Sequence, residues 1–290
     1  MPRYSVRTQF FPVRKSLSRS AITRSRSRSD DIFRSGDSDY MVSLARGLHV
    51  IQVFCDDDRA RLSIADVTRL SGLSRTVVSR CLYTLRELGF VSRQGRHFYL
   101  LPKVLKLGYG YVSTASLPTL AQPILERLAA ETVSPSAIVV LDGPDVLYVA
   151  RSMPPSYRTI IAMTVNIGHR RPAYLTASGM ALLGYLPEAD LRDYLASLDE
   201  TETRRALDMS VRDIAARVAD ARRKGYALTR LIFARSVRGI AVPIRNVVGK
   251  VTAAMSIAIY NETATDEELV RRHLPGLNKA AKSLSDKLVE

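Results

Sequence analysis

The chain has 290 residues, a formal net charge of +15 and a pI near 10.1; that length allows about two domains, and 46% hydrophobic residues can bury a sizeable core. No window approaches roughly 18 uninterrupted apolar residues and no apolar run follows the basic start, which excludes a predicted membrane span and a secretory signal. Two cysteines without CxxC spacing and four scattered histidines (His49, His97, His169, His273) argue against a metal centre or disulfide framework; Cys55 and Cys81 lie in apolar-patterned segments and are expected as buried thiols in a reducing, cytoplasmic setting.

Residues 1–39 carry nine Arg or Lys against four Asp, are rich in Ser and include the run RSRSRSDD. With little apolar periodicity, residues 1–40 are predicted to form a disordered basic tail. Such a tail adds salt-sensitive, non-specific attraction to nucleic acid, or is inert. Because Met41 opens the patterned region, a start codon assigned too early is a third reading. Residues 40–110 hold eleven Arg or Lys against five acids, and there the charge is patterned.

The run SLARGLHVIQVF predicts a helix with Leu44, Leu48, Ile51 and Phe54 on one face and Ser43 as its cap, ended by the acidic turn from Asp56 to Arg59. In LSIADVTRLSGLSRTVVSRCLYTLRELGFV, Ser63 and Asp66 have capping-box spacing. Ile64, Val67 and Leu70 supply the buried side of a short helix. Gly72 permits a tight turn, Ser74 caps a second helix, and Gly89 stops it. Val77, Cys81, Leu85 and Leu88 are read as its core stripe, widened by Val78 and Leu82. Arg75, Thr76, Ser79, Arg80 and Tyr83 fall on the other side, although Val78 and Tyr83 could each be packing residues at the core edge. This is the helix-turn-helix plan, in which the N-terminal half of the second helix meets base edges in the major groove. Arg suits guanine N7 and O6, whereas Ser and Thr are less selective. FVSRQGRHFYL then places Gln94-Gly95 between two strand-like runs, so Arg93, Arg96 and His97 cluster at the tip of a basic wing expected on the phosphate backbone or in the minor groove. The alternative is a small helical domain with a solvated charged face.

PKVLKLGYGYVS reads as a connecting helix, and LPTLAQPILERLAAETV as an amphipathic helix with Leu120, Ile124 and Leu128 in register. AIVVLDGPDVLYVARS gives two strands joined by a turn. RTIIAMTVNIG is a further strand run, and TASGMALLGYL a helix with small residues at its start. LPEADLRDYLASL and SVRDIAARVADARRKG are helices; YALTRL, GIAVPI and VTAAMSIAIY are strands; residues 265–289 form a last helix. Interspersed helices and antiparallel hairpins predict an α+β domain. It has no P-loop, GxSxG, dinucleotide fingerprint or metal motif, so no enzyme activity and no cofactor is expected, and the small residues near Thr176 to Gly179 suit a small-ligand pocket.

Taken together, SLARGLHVIQVF, LSRTVVSRCLYTLRELGFV, LPKVLKLGYGYVS, LDGPDVLYVARS, VNIGHRRPAYLTASGMALLGYLP and VRGIAVPIRN resemble the IclR family of bacterial transcription regulators, from about Tyr40 to the C-terminus. The chain is most similar to the branch with the PcaR, PcaU and PobR regulators of aromatic-acid catabolism. The resemblance implies a winged helix-turn-helix over residues 41–101, a linker helix over 102–117 and a GAF/PAS-like effector-binding domain over 118–290. It implies a homodimer or tetramer on a palindromic double-stranded DNA operator, a small organic acid as effector, and contact with RNA polymerase. The implied pathway is protocatechuate or hydroxybenzoate breakdown, the alternatives being another carboxylic-acid pathway or no effector response. Carried over by position, Ala177 and Ser178 offer backbone donors at a helix start, Gly239 and Ser256 lie on facing strands, and Thr229 lies near the mouth. The chain departs from the family at LIFARSV (231–237), where acids are lost and Arg235 gained. That Arg is either a loop cation or the counter-charge of a different anion.

Overall fold

The computed structural model describes residues 39–57, 59–114, 116–154, 166–230, 237–260 and 264–288, in two compact units that divide between residues 115 and 116. The basic tail, most of the strand run at 158–168, and the departing loop with Arg235 lie outside the described residues.

In the first unit, helix α1 (Val42–Asp56) is followed by a short strand β1 (Leu62–Ser63), α2 (Ile64–Ser71), α3 (Arg75–Glu87) and the hairpin β2 (Val91–Gln94) and β3 (His97–Leu100). Ser43 lies inside α1 rather than capping it, since the helix starts after Met41 with no side-chain cap. Full burial is confined to its second half, at Val50, Ile51, Val53 and Phe54; Leu44 and Leu48 are 55% and 47% exposed because no described residue of this unit covers their face, while Val42 and Ala45 pack at the core's edge. The α2 cap is as expected: Ser63 accepts from the Asp66 N–H while Asp66 accepts from the Ser63 N–H. Gly72 closes α2 at φ 69°, a left-handed conformation that costs glycine little.

On α3 the buried residues are Val78, Leu82 and Leu85. The core stripe is therefore rotated from the one expected: Val77 and Cys81 are half-buried flanks, and Leu88 is exposed beyond the last turn. Nor are the cysteines buried thiols, because Cys55 points to solvent one position past Phe54 and Cys81 sits at the stripe's edge. β2 and β3 pair antiparallel, Val91 opposite Leu100 and Gln94 opposite His97, and β1 adds Leu62 opposite Phe98. After a single 3-10 turn (Pro102–Val104) comes α4 (Leu105–Thr114), of which residues 105–111 are all exposed.

The second unit opens with α5 (Ser116–Thr132), β4 (Ser136–Asp142), β5 (Asp145–Ser152) and β6 (Arg170–Pro172). It continues with α6 (Ala177–Leu183), α7 (Glu188–Ala196), α8 (Glu200–Leu207), α9 (Val211–Lys224) and β7 (Ala227–Arg230), and ends with β8 (Val237–Arg245), β9 (Val251–Tyr260) and α10 (Asp266–Ser285). The six strands form one antiparallel sheet in the order β6-β5-β4-β9-β8-β7. Alternate side chains face opposite ways. Ile240, Val242, Ile244, Met255 and Ile257 pack against Ile124, Leu125 and Leu128 of α5 and Leu269, Leu277 and Leu284 of α10. On the other face Val139, Ala241 and Ala254 meet Met180 and Leu183 of α6, Tyr194 of α7, and Ile214 and Val218 of α9. The fold is the expected α+β class, with a winged helix-turn-helix before it.

Candidate functional site

Two places bring the expected residues together, one in each unit. In the first, Ser74 caps α3 by accepting from the Val77 N–H at 3.4 Å, which aims the start of the helix away from the core. Ser74, Arg75, Thr76, Ser79, Arg80 and Tyr83 are all exposed, opposite the Val78–Leu82–Leu85 stripe. Several other described cations of this unit are tied down. Arg59 bonds Asp57 and Asp66, Arg86 bonds Glu87 and lies 5.3 Å from the Tyr83 ring centre, and Lys103 donates to the Leu88 carbonyl at 2.7 Å. Arg75, Arg80 and Arg96 have no acidic partner within 4.0 Å among the described residues. In the wing, the Arg93 Nε donates to the Gly95 carbonyl at 2.7 Å, so this side chain braces the hairpin turn. Arg96 and His97 are exposed at and beside that turn.

A residue the sequence did not single out joins them. Arg61 is exposed and its guanidinium lies 5.7 Å from the Tyr99 ring centre, a cation–π arrangement that pre-orients it on the outer face of the three-stranded sheet. Its signal was hidden because β1 is only two residues long and pairs with a strand more than thirty residues away. Below α3 the scaffold is firm: Asp66 takes hydrogen bonds from the Ser63 hydroxyl and Arg59, which hold its carboxyl well below the usual carboxylate range.

In the second unit, Thr176 caps α6 by accepting from the Gly179 N–H at 2.9 Å. A Cβ on Gly179 would fall 2.0 Å from the Ala173 carbonyl oxygen, so only glycine lets the helix start this close to the preceding turn. Tyr194 fixes the same turn, its buried hydroxyl accepting from the Tyr174 N–H at 3.0 Å, and burial pushes that phenol's pKa up. Ala177 and Ser178, both buried, open the helix. A Cβ on Gly239 would sit 3.4 Å from the Ala177 Cβ and 3.6 Å from the Thr229 Oγ1, so Ala177, Thr229 and Gly239 converge. The Thr229 hydroxyl is buried with no hydrogen-bond partner among the described residues. Ser256 pairs with Ala241 across β8 and β9, which puts it on the sheet face that Gly239 shares. Ser178, the next residue of α6, is buried, but the near contacts are among Ala177, Thr229 and Gly239. Thr229 also lines a groove of about 980 Å³ along β7, walled by α8, α9 and the first turns of α10, which the sequence did not suggest.

Comparison with known proteins bears on both places. Residues 43–95 match the family model described as the IclR helix-turn-helix domain, and residues 109–286 the one described as the IclR C-terminal domain of bacterial transcriptional regulators. The chain is 37% identical to the Pca regulon regulatory protein of Pseudomonas putida, over 88% of this chain and 86% of that protein. It is 32% identical to the p-hydroxybenzoate hydroxylase transcriptional activator of Acinetobacter baylyi, over 85% and 91%. A solved transcriptional regulator from Rhodococcus sp. RHA1 superposes with a TM-score of 0.70 at 36% identity, covering 86% of this chain and 98% of that one. The fold is shared too with an IclR homologue from Microbacterium hydrocarbonoxydans solved in complex with 4-hydroxybenzoate, at 22% identity over 85% and 98%, with a TM-score of 0.68.

Proposed function

Because the chain belongs to the IclR family of bacterial transcriptional regulators, we propose that it reads a palindromic DNA operator with α3 and the β2–β3 wing, under the control of a small organic acid. The observation that carries this is the exposed row Arg75, Thr76, Ser79, Arg80 and Tyr83, backed by the buried stripe Val78, Leu82 and Leu85, with Arg75 and Arg80 free of acidic partners among the described residues. Ser74 sets the helix start, and Arg93, Arg96 and His97 hold the sugar–phosphate backbone. In this reading residues 41–101 are the reader, 102–117 the linker and 118–290 the effector domain.

The effector site is the convergence of Ala177, Ser178, Thr229, Gly239 and Ser256. The unbonded Thr229 hydroxyl and the backbone N–H groups at the start of α6 suit a carboxylate. The names of two relatives, and the 4-hydroxybenzoate held by a structural neighbour, support an aromatic acid and control of a protocatechuate or hydroxybenzoate operon. The regulator acts in the cytoplasm as a homodimer or tetramer, since α1 and α4 expose Leu44, Leu48, Leu105, Leu107, Tyr109 and Tyr111. RNA polymerase is the partner through which occupancy becomes transcription.

The test is selection of random DNA by the purified chain, with and without 4-hydroxybenzoate, protocatechuate and a panel of aliphatic acids. An inverted repeat should be enriched, and an aromatic acid should change the enrichment. No enriched sequence, or enrichment lost on removing residues 1–40 alone, overturns the operator reading. A response to an aliphatic acid alone would redirect the pathway, and no response to any acid in the panel removes the effector.

A further inference from the structure

β7 is the last strand of the six-stranded sheet, and among the described residues no backbone hydrogen bond reaches its outer edge. A free edge is a template for another strand, which proteins usually blunt with charge or cover with a helix. Here no described residue pairs with it, and it is recessed rather than flat. The edge is the floor of the 980 Å³ groove, formed by Tyr226, Ala227, Leu228 and Thr229. α8 and α9 make one wall and α10 the other, leaving a slot about four residues long.

The charge along this slot is uneven. Arg204 is paired with Glu200, Lys224 with Asp220, and Arg230 approaches Asp266, which also holds Arg238. Arg205, Arg217 and Arg271 line the groove, are exposed, and have no acidic partner within 4.0 Å among the described residues. Asp208 on the first wall and Glu267 on the second are likewise exposed without a cationic partner among the described residues, so three unpaired cations, Arg205 and Arg217 on one wall and Arg271 on the other, outnumber two unpaired acids.

We propose that this groove docks an extended acidic peptide segment of a partner protein, added as a strand beside β7. The ladder would supply affinity for any extended backbone, and the cations on the two walls would select acidic side chains at alternate positions. The site goes beyond effector binding and shares only Thr229 with it. Docking there offers a way for this domain to contact other proteins while the winged domain stays on DNA.

The probes are a capped six-residue peptide alternating Glu and Val and its Lys–Val counterpart, titrated into the full chain and followed by calorimetry and amide hydrogen exchange. The Glu peptide should bind, and the outward-pointing amides within Ala227–Arg230 should gain protection. Arg217→Glu and Arg271→Glu should each weaken it about tenfold. Both variants should keep full operator affinity, which shows that they fold and separates this result from the DNA and effector readings. Equal binding of the Lys peptide, no protection along β7, or undiminished binding by both variants overturns the proposal. So does full protection of every β7 amide without peptide, since the chain would then cover the edge itself. Displacement of the peptide by benzoate or succinate would make the groove a small-anion site instead, and would equally overturn it.

Discussion

At the scale of single residues, the deciding contrast is between cations that are held and cations that are free. Arg86 is bonded to Glu87 and stacked near Tyr83, whereas Arg80, six positions earlier on the same helix, has no acidic partner among the described residues. Only a free, exposed guanidinium can make the forked contact to guanine without first losing a bond. Arg80→Ala should therefore cost roughly 1–3 kcal/mol on the selected operator and relax discrimination at one base pair. Arg96→Ala, at the wing tip, should weaken all DNA alike and reduce the salt slope by about one. Gel-shift titrations on operator and random DNA across a salt series separate the two. An Arg80→Ala loss equal on both DNAs would move that residue to the backbone.

Among the elements, what the sequence made legible was local. The Ser63–Asp66 box spans four residues, and the α3 outward row follows from a 3.6-residue period, so both can be seen without knowing what lies across the fold. The rotation of the α3 stripe toward Val78 could not be, because both Val77 and Val78 are apolar and only the packing against α1 and α2 chooses between them. Two elements escaped for the same reason. β6 is only Arg170–Pro172, with no apolar alternation, and Arg170 is held by Asp142 and Asp145 at least 25 residues earlier. α8 is polar up to its last two residues, Ala206 and Leu207, fully buries only Thr203, and is started by Asp199 accepting from the Thr201 and Glu202 N–H groups. The β7 groove is less legible still, since α8, α9 and α10 meet there only in the folded domain.

Asp66 gives the element scale its prediction. Its pKa is lowered in the folded chain, first by the Ser63 hydroxyl and then by Arg59, so its charged form stabilises α2. That stability is present above the unfolded carboxylate value near 4 and is lost as pH falls toward the lower folded value. Asp66→Asn should destabilise the winged domain by about 1 kcal/mol at neutral pH. The gap to the parent chain should begin to shrink below about pH 4, where the unfolded parent's carboxylate takes up its proton while the folded one still resists it. Urea midpoints at pH 7 and pH 2.5 check this, and a gap unchanged by acid would assign the effect to hydrogen-bond geometry rather than charge.

For the whole molecule, the exposed apolar residues matter more than any buried one. Leu105 and Tyr109 on α4 are 72% and 70% exposed, and Leu44 and Leu48 of α1 lie in the same unit. In the proposed homodimer or tetramer this apolar surface would form the interface, since a palindromic operator would need a paired reader. A chain carrying both Leu44→Glu and Tyr109→Glu should lose mass by half in light scattering. Its operator affinity should fall by about two orders of magnitude, because the second half-site is no longer bound within one complex. A double variant that keeps the parent mass would place the interface elsewhere.

The two glycines near the Thr176 turn have opposite evolutionary freedom. Position 179 admits no side chain at all, because Ala173 already occupies the space. At Gly239 an added methyl would make only ordinary contacts with Ala177 and Thr229. If the proposed effector site is right, selection for a new effector, in nature or in a biosensor library, should find its first variants on the strand, with the helix start as a fixed frame.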